Sequence, residues 1–226
     1  MLLNGDSVRF ASPMLHKPFT VKRLSSNLEA EWRAVREICC RTGNNGQPIS
    51  AERWPFFPRL WVEPYQKIFP QWTYAAQAGG LVIGYLTGCP DSRAFARSWL
   101  WRFALPLLID VIRGRYSWNP DARTFVRQFF GLEMQPDGIF PREFRRMLYR
   151  DYPAHLHMNV EAAWRRRGVG AKLIEAFIGD LRGAVIPGVH LYCGADPVPF
   201  YLRQGFKELG KVFFREIAVF ALGRRC

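Results

Sequence analysis

The sequence predicts an α/β fold, with strands and helices alternating around one core. Three stretches carry that prediction. His155 to Val160 alternates apolar and polar residues at period two, passes through Arg165-Arg166-Arg167-Gly168-Val169-Gly170, and enters Ala171–Leu181, where Leu173, Ile174, Phe177, Ile178 and Leu181 recur at helical spacing. Phe19 to Leu24 reads as a strand followed by helix-spaced Leu28, Trp32, Val35, Ile38 and Cys39. Thr73–Gln77 and Leu81–Thr87 flank Gly79-Gly80, a β-hairpin signal.

Taken in order, residues 1–17 show no clear periodicity, and 1–18 reads as a leader. Ser25, Ser26 or Asn27 can cap the first helix, which the Gly43-Asn44-Asn45-Gly46 run stops. Between Pro48 and Pro70 the prolines forbid one long helix, so a short helix against a loop is expected, with Trp54, Phe56, Phe57, Trp61, Tyr65 and Phe69 supplying apolar area. Cys89 to Pro153 interrupts the strand pattern. It holds a helical stretch over Phe95–Arg113, kinked or divided at Pro106, and shorter ones over Arg123–Phe130 and Pro141–Arg150. So long a connection should carry structure of its own. After the central strand, turn and helix come a strand over Val189–Cys193, a short helix over Pro199–Gln204 stopped by Gly205, and closing strands over Lys207–Arg215 and Ile217–Gly223.

At 226 residues and 49% hydrophobic the chain can bury a substantial core, which suits one domain over 19–226 with a helical insertion at about 89–153. Five cysteines form no CxxC pair, and their odd number leaves one unpaired within the chain, so a reduced cytoplasmic setting is expected. No secretory signal is expected either. The apolar run Ser98–Ile112 is broken by Arg102 and Asp110 and falls short of the roughly 20 residues a span requires, so no membrane partner is expected. The net charge of +13 is carried largely by arginine, which suits bidentate contacts to phosphate. Nucleic acid is disfavoured as partner, since no binding motif accompanies the charge. A homodimer is compatible with the sequence.

A strand that turns into a helix through Gly168 and Gly170 leaves the first helical N–H groups pointing outward with the positive end of the macrodipole behind them. Residues 165–170 are therefore a candidate anion site; the bland alternative is a solvated helix start.

The RxxGxG turn and the later Phe200-Tyr201-Leu202-Arg203-Gln204-Gly205-Phe206 together resemble the GCN5-related N-acetyltransferase (GNAT) superfamily. The strand–helix start and the Val82–Leu86 hairpin strand precede them in the family's order, so the resemblance covers roughly Phe19 to the C-terminus. A narrower likeness, in Gly84–Phe95 and Tyr152–His157, is to the acetyltransferase-like domain of O-GlcNAc hydrolases and its stand-alone bacterial relatives. The resemblance implies a central, mostly antiparallel mixed sheet splayed at an acetyl-CoA site, with helices on both faces and a helical insertion before the fourth strand.

It also implies a function: transfer of acetyl from acetyl-CoA, as co-substrate, to an amine by direct attack in a ternary complex. The alternative is a catalytically weak or inactive CoA-binding or interaction module. Arg165, Arg166, Arg167, Gly168, Val169, Gly170 and Ala171 would hold the pyrophosphate. Met158, Asn159 and Val160 would meet the pantetheine and acetyl carbonyl, and Asp196 lies where many members have a cofactor-contacting Asn. Tyr201 matches the family's general acid; its reference pKa near 10 keeps it protonated at neutral pH. It otherwise serves as a core aromatic. His155 and His157 are candidate bases, because a histidine of pKa about 6.5 is largely neutral at pH 7. Otherwise the pair decorates a strand, satisfied by its neighbours. No metal site is expected, since two histidines without an acidic or thiol partner make a poor one. Trp61, Tyr65, Trp99 and Trp101 are candidates to line an acceptor pocket. Small amine, aminosugar, peptide N-terminus and lysine all remain open as acceptors.

Overall fold

The computed structural model describes residues 18–24, 28–115, 120, 139–214 and 216–226. The leader, the Ser25–Asn27 cap and the Arg123–Phe130 helical pattern lie outside the described residues. Seven strands form one sheet in the order β1-β2-β3-β4-β5-β7-β6. The strands are β1 (Thr20–Arg23), β2 (Thr73–Ala78), β3 (Leu81–Cys89), β4 (Ala154–Val160), β5 (Gly188–Cys193), β6 (Lys207–Phe214) and β7 (Ile217–Arg225). Every neighbouring pair is antiparallel except β4–β5, which is parallel. The sheet is thus mixed and mostly antiparallel.

Period-two alternation sends the two faces of the sheet to different helices. Ala75 and Tyr85 join Trp32, Val35, Ile38 and Cys39 of α1 (Glu29–Thr42) in one buried cluster. Tyr74, Ala76 and Leu86 join Leu173, Ile174, Phe177, Ile178 and Leu181 of a second helix, Val169–Gly183, in the other. Each fully buried Val, Leu, Ile or Phe among them contributes about 1.5–3 kcal/mol of transfer free energy. The hairpin joining β2 to β3 has positive φ at both Gly79 and Gly80 (57° and 79°), the conformation a tight turn between twisted strands demands.

Two connections differ from expectation. The Pro48–Pro70 region holds two short helices, α2 (Phe57–Trp61) and α3 (Glu63–Ile68), rather than one. Pro58 and Pro64 sit in their first turns, where a missing N–H costs nothing, and each proline starts a new helix instead of ending structure. The helical stretch expected over Phe95–Arg113 begins earlier than that, and it is divided just ahead of Pro106, as expected, by a π-helical turn. It comprises α4 (Ser92–Trp99), a π-helical turn over Leu100–Ala104, and α5 (Leu105–Ile112). Asp91 caps it, with Oδ1 accepting from the N–H groups of Arg93 at 2.8 Å and Ala94 at 3.1 Å. The wider turn ahead of Pro106 accommodates the ring, and the Leu105 N–H reaches the Leu100 carbonyl. The helix α6 (Arg142–Asp151) leads into β4. We number Val169–Gly183 α7 and Val198–Arg203 α8. Among the described residues no helix is long and apolar enough to cross a membrane.

Candidate active site

The sheet opens at the parallel junction between β4 and β5. β4 pairs with β3 from His155↔Cys89 to Val160↔Gly84, but with β5 only at Ala154↔Val189 and His155↔His190. β5 instead follows β7 along its whole length. The β5-facing edge of Leu156–Val160 therefore has no strand partner among the described residues. That edge, which includes Met158, Asn159 and Val160, offers main-chain donors and acceptors to an extended ligand.

Beyond the open edge stands the basic turn, and its three arginines do different things. Arg165 is committed to the protein: Nε donates to the Val160 carbonyl at 3.0 Å and Nη2 to the Gly46 carbonyl at 2.8 Å. Arg166 is exposed and holds φ at 60°, a left-handed conformation uncommon outside glycine. The Arg167 guanidinium lies 5.3 Å from the centre of the Trp164 ring. Gly168, at φ 81°, precedes α7 with no side chain capping it, so the first-turn N–H groups of Val169, Gly170 and Ala171 are left without a capping side chain. The 15-residue helix behind them adds the positive end of its dipole. An uncapped helix start beside an open strand edge fits a ligand with an anionic end and an extended amide-bearing arm.

Tyr201 comes to the same place from the C-terminal side. It lies on α8, is 7% exposed, and shares the α7-side cluster with Met158 and Val160. The neighbouring Phe200 closes on the turn: a Cβ added to Gly170 would stand 3.0 Å from Phe200 Cζ and 3.3 Å from Met158 Cε, so these elements meet only at a glycine. Burial, reinforced by nearby Cys193, pushes the Tyr201 hydroxyl well above its ordinary pKa. Asp196 sits in the exposed turn ahead of α8.

The two histidines point to the opposite face, toward α1–α4, and both lone pairs are engaged. Ser92 Oγ donates to the Pro153 carbonyl at 2.7 Å, so it accepts from the His155 Nδ1–H at 2.8 Å. His155 Nε2 is then the acceptor for the Tyr65 hydroxyl, also at 2.8 Å. Asn159 Nδ2 lies 3.1 Å from His157 Nε2 and donates to the Tyr85 hydroxyl at 2.9 Å. Trp61 stacks on His157 with centroids 5.9 Å apart. Desolvation lowers His155 to about 3, helped by the nearby His190 and His157, and lowers His157 to about 4. Both rings are neutral at pH 7, and both are weak bases.

Over these histidines is a cavity of about 210 Å³. Trp61, Tyr65, Phe95, Trp99 and Tyr192 wall it, and His155, His157 and His190 sit in its floor. Trp101, expected with these residues, is 70% exposed and does not line it. Sequence reasoning missed Ser92 and His190, and Ser92 carries no local signature. A polar residue alternating with Val189 and Leu191 at an inward strand position is the only sequence signal for His190. His190 is 2% exposed, and its Nδ1 donates to the Tyr152 carbonyl at 2.6 Å. Among the described residues no group of three or more potential ligands is arranged to hold a metal, and the five cysteines are free.

No protein-family model matches the chain. Among solved structures it is similar to SsHAT, at 24% identity over 92% of this chain and 98% of that one, with a TM-score of 0.67. It is also similar to a polyamine N-acetyltransferase from Drosophila melanogaster, at 11% identity over 92% and 100% of the two chains, TM-score 0.58. A GCN5-related N-acetyltransferase from Kribbella flavida matches at 15% identity over 92% and 98%, TM-score 0.51. At these identities the shared property is the fold. The chain has the GNAT fold.

Proposed function

We propose that this chain, built on the GNAT fold, is an acetyl-CoA-dependent N-acetyltransferase whose acceptor amine attacks the thioester directly in a ternary complex. The observation that carries the reading is the open β5-facing edge of Leu156–Val160, set directly ahead of an uncapped helix start. Acetyl-CoA supplies an activated acetyl group. Residues Val169, Gly170 and Ala171 would hold the pyrophosphate through their N–H groups, with Gly168 shaping the turn and Arg166 and Arg167 supplying charge. Arg165 acts behind them, tying the turn to Val160 and Gly46. Met158, Asn159 and Val160 would pair with the pantetheine arm, and Asp196 would border it.

Tyr201 would donate its proton to the departing thiolate and be reprotonated from solvent, while the nitrogen would release a proton to solvent as the amide forms. The raised pKa of Tyr201 keeps it protonated throughout the neutral range. His155 and His157 would face the attacking amine from the other side of the sheet, His155 through the Tyr65 hydroxyl. Weak bases of this kind orient an amine that has already lost its proton. The same engagement of both lone pairs favours a second reading, a CoA-binding module with little or no turnover. We further read residues 19–226 as one acetyltransferase domain with its insertion at about 89–153, in a cytoplasmic setting. The likeness to the acetyltransferase-like domain of O-GlcNAc hydrolases rests on Gly84–Phe95 and Tyr152–His157 alone.

Isothermal titration with acetyl-CoA and with CoA tests the binding both readings share. Saturable heat supports it, whereas no heat and no thermal shift at millimolar ligand would remove the enzyme reading. Thiol release in the presence of an amine then separates enzyme from module.

A further inference from the structure

We propose that the aromatic cavity over His155 and His157 is the acceptor pocket, and that it takes a small primary monoamine with one flat apolar body, an arylalkylamine. The inference rests on the acetyl-transfer reading above and adds the acceptor's chemical class. The cavity lies in the right place: its floor is drawn from β4 (His155, Leu156, His157) and from β5 (His190, Leu191, Tyr192), so it straddles the point where the two strands part. An amine held there adjoins the open edge assigned to the thioester arm. Its volume of about 210 Å³ is below the roughly 300–1,000 Å³ typical of drug-sized ligands. A small molecule fits, and an aminoglycoside-sized acceptor does not.

The walls specify the body. Tyr65 and Phe95 stack with centroids 4.6 Å apart, and Phe95 meets His155 edge-on at 4.9 Å. These rings are already packed on one another, so they present the cavity with a firm aromatic wall, against which another flat ring can lie. Charge specifies what is rejected. Among the described residues lining the cavity there is no Asp, Glu, Lys or Arg. One ammonium can approach over aromatic faces before losing its proton. A diamine's second charge, or the carboxylate of a free amino acid, would be desolvated without a partner. The Tyr65 hydroxyl, fixed on His155, is the polar point at which a single amine can be oriented.

The test pairs binding with turnover on the full chain. Tryptophan fluorescence is titrated with phenethylamine, and acetyl-CoA-dependent thiol release is measured with phenethylamine, spermidine and glucosamine. The expected result is saturable quenching by phenethylamine and a kcat/KM for it about tenfold or more above the other two. Ala96→Asp, at an exposed position on the cavity rim, should narrow the preference by raising kcat/KM for spermidine. Acetyl-CoA binding with no phenethylamine binding, or a preference for spermidine or glucosamine, overturns the acceptor assignment. Failure of acetyl-CoA to bind removes the transfer reading instead, and the fluorescence titration then decides the pocket on its own.

Discussion

The Tyr65 hydroxyl stands 2.8 Å from His155 Nε2, and the far side of that imidazole is fixed by Ser92 Oγ at the same distance. A helix of the aromatic-rich segment, a strand of the sheet and the first residue of the α4 helix are thereby joined through one ring. Removing Ser92 Oγ leaves the His155 Nδ1–H, in a desolvated site, with only the weak acceptor Cys89 Sγ at 3.0 Å. Ser92→Ala should therefore cost about 1 kcal/mol, the net worth of one hydrogen bond exchanged for a weaker one to sulfur. Denaturant unfolding checks this, and an unchanged midpoint would show that the ring is held by packing alone.

Acid should loosen the fold earlier than carboxylate titration would. His155 and His157 are held at about 3 and about 4, below the unfolded value of 6.5. Between those limits the unfolded chain binds more protons, so stability is complete above about pH 6.5 and falls as pH drops toward 4 and then 3. Tm measured from pH 7.5 to 5 lies above most carboxylate titration and isolates the histidines. A decline is expected in wild type, with a shallower one in His155→Gln. A flat wild-type profile would contradict the assignment.

Turnover should depend on pH through the amine. With both histidines below about pH 5, kcat/KM should climb toward the acceptor's own pKa without an inflection near 6.5. No descending limb should appear below about pH 10, because Tyr201 stays protonated. Tyr201→Phe should lower kcat by about 10²–10⁴-fold while leaving acetyl-CoA affinity within a few-fold. Unchanged kcat would take Tyr201 out of the chemistry.

The adjoining arginines should separate cleanly. Arg165→Ala loses two hydrogen bonds to main-chain carbonyls and should destabilise the chain by about 2 kcal/mol. Gly46 is matched to that side chain, since an added Cβ would lie 2.7 Å from Arg165 Nη1. Arg166→Ala, at an exposed position, should leave Tm nearly unchanged and weaken acetyl-CoA binding, read by calorimetry. The reverse pattern would exchange their roles.

What could be read from the sequence was what is local in it. The His155–Leu181 strand, turn and helix announce themselves through periodicity and two glycines, and the hairpin through Gly79-Gly80. The division of labour among Arg165, Arg166 and Arg167 was hidden, because the acceptor that distinguishes Arg165 is the Gly46 carbonyl, 119 residues away. The engagement of the histidines was hidden for the same reason: Tyr65 is 90 residues from His155 and Ser92 is 63. Trp99 and Trp101 look alike in the sequence, yet two residues along a helix turn them to different sides, and only Trp99 reaches the cavity. The division near Pro106 was legible from the proline itself, but its form, a π turn over Leu100–Ala104, was not.

The central claim is that acetyl-CoA lies along the open edge of Leu156–Val160 with its pyrophosphate at the start of α7. Titration of the ¹⁵N-labelled chain with acetyl-CoA, followed amide by amide, tests it most directly. The account predicts the largest saturable shifts at Met158, Asn159 and Val160 and at Gly168, Val169, Gly170 and Ala171. Saturation with those amides unmoved, or with shifts confined to another surface, would contradict it.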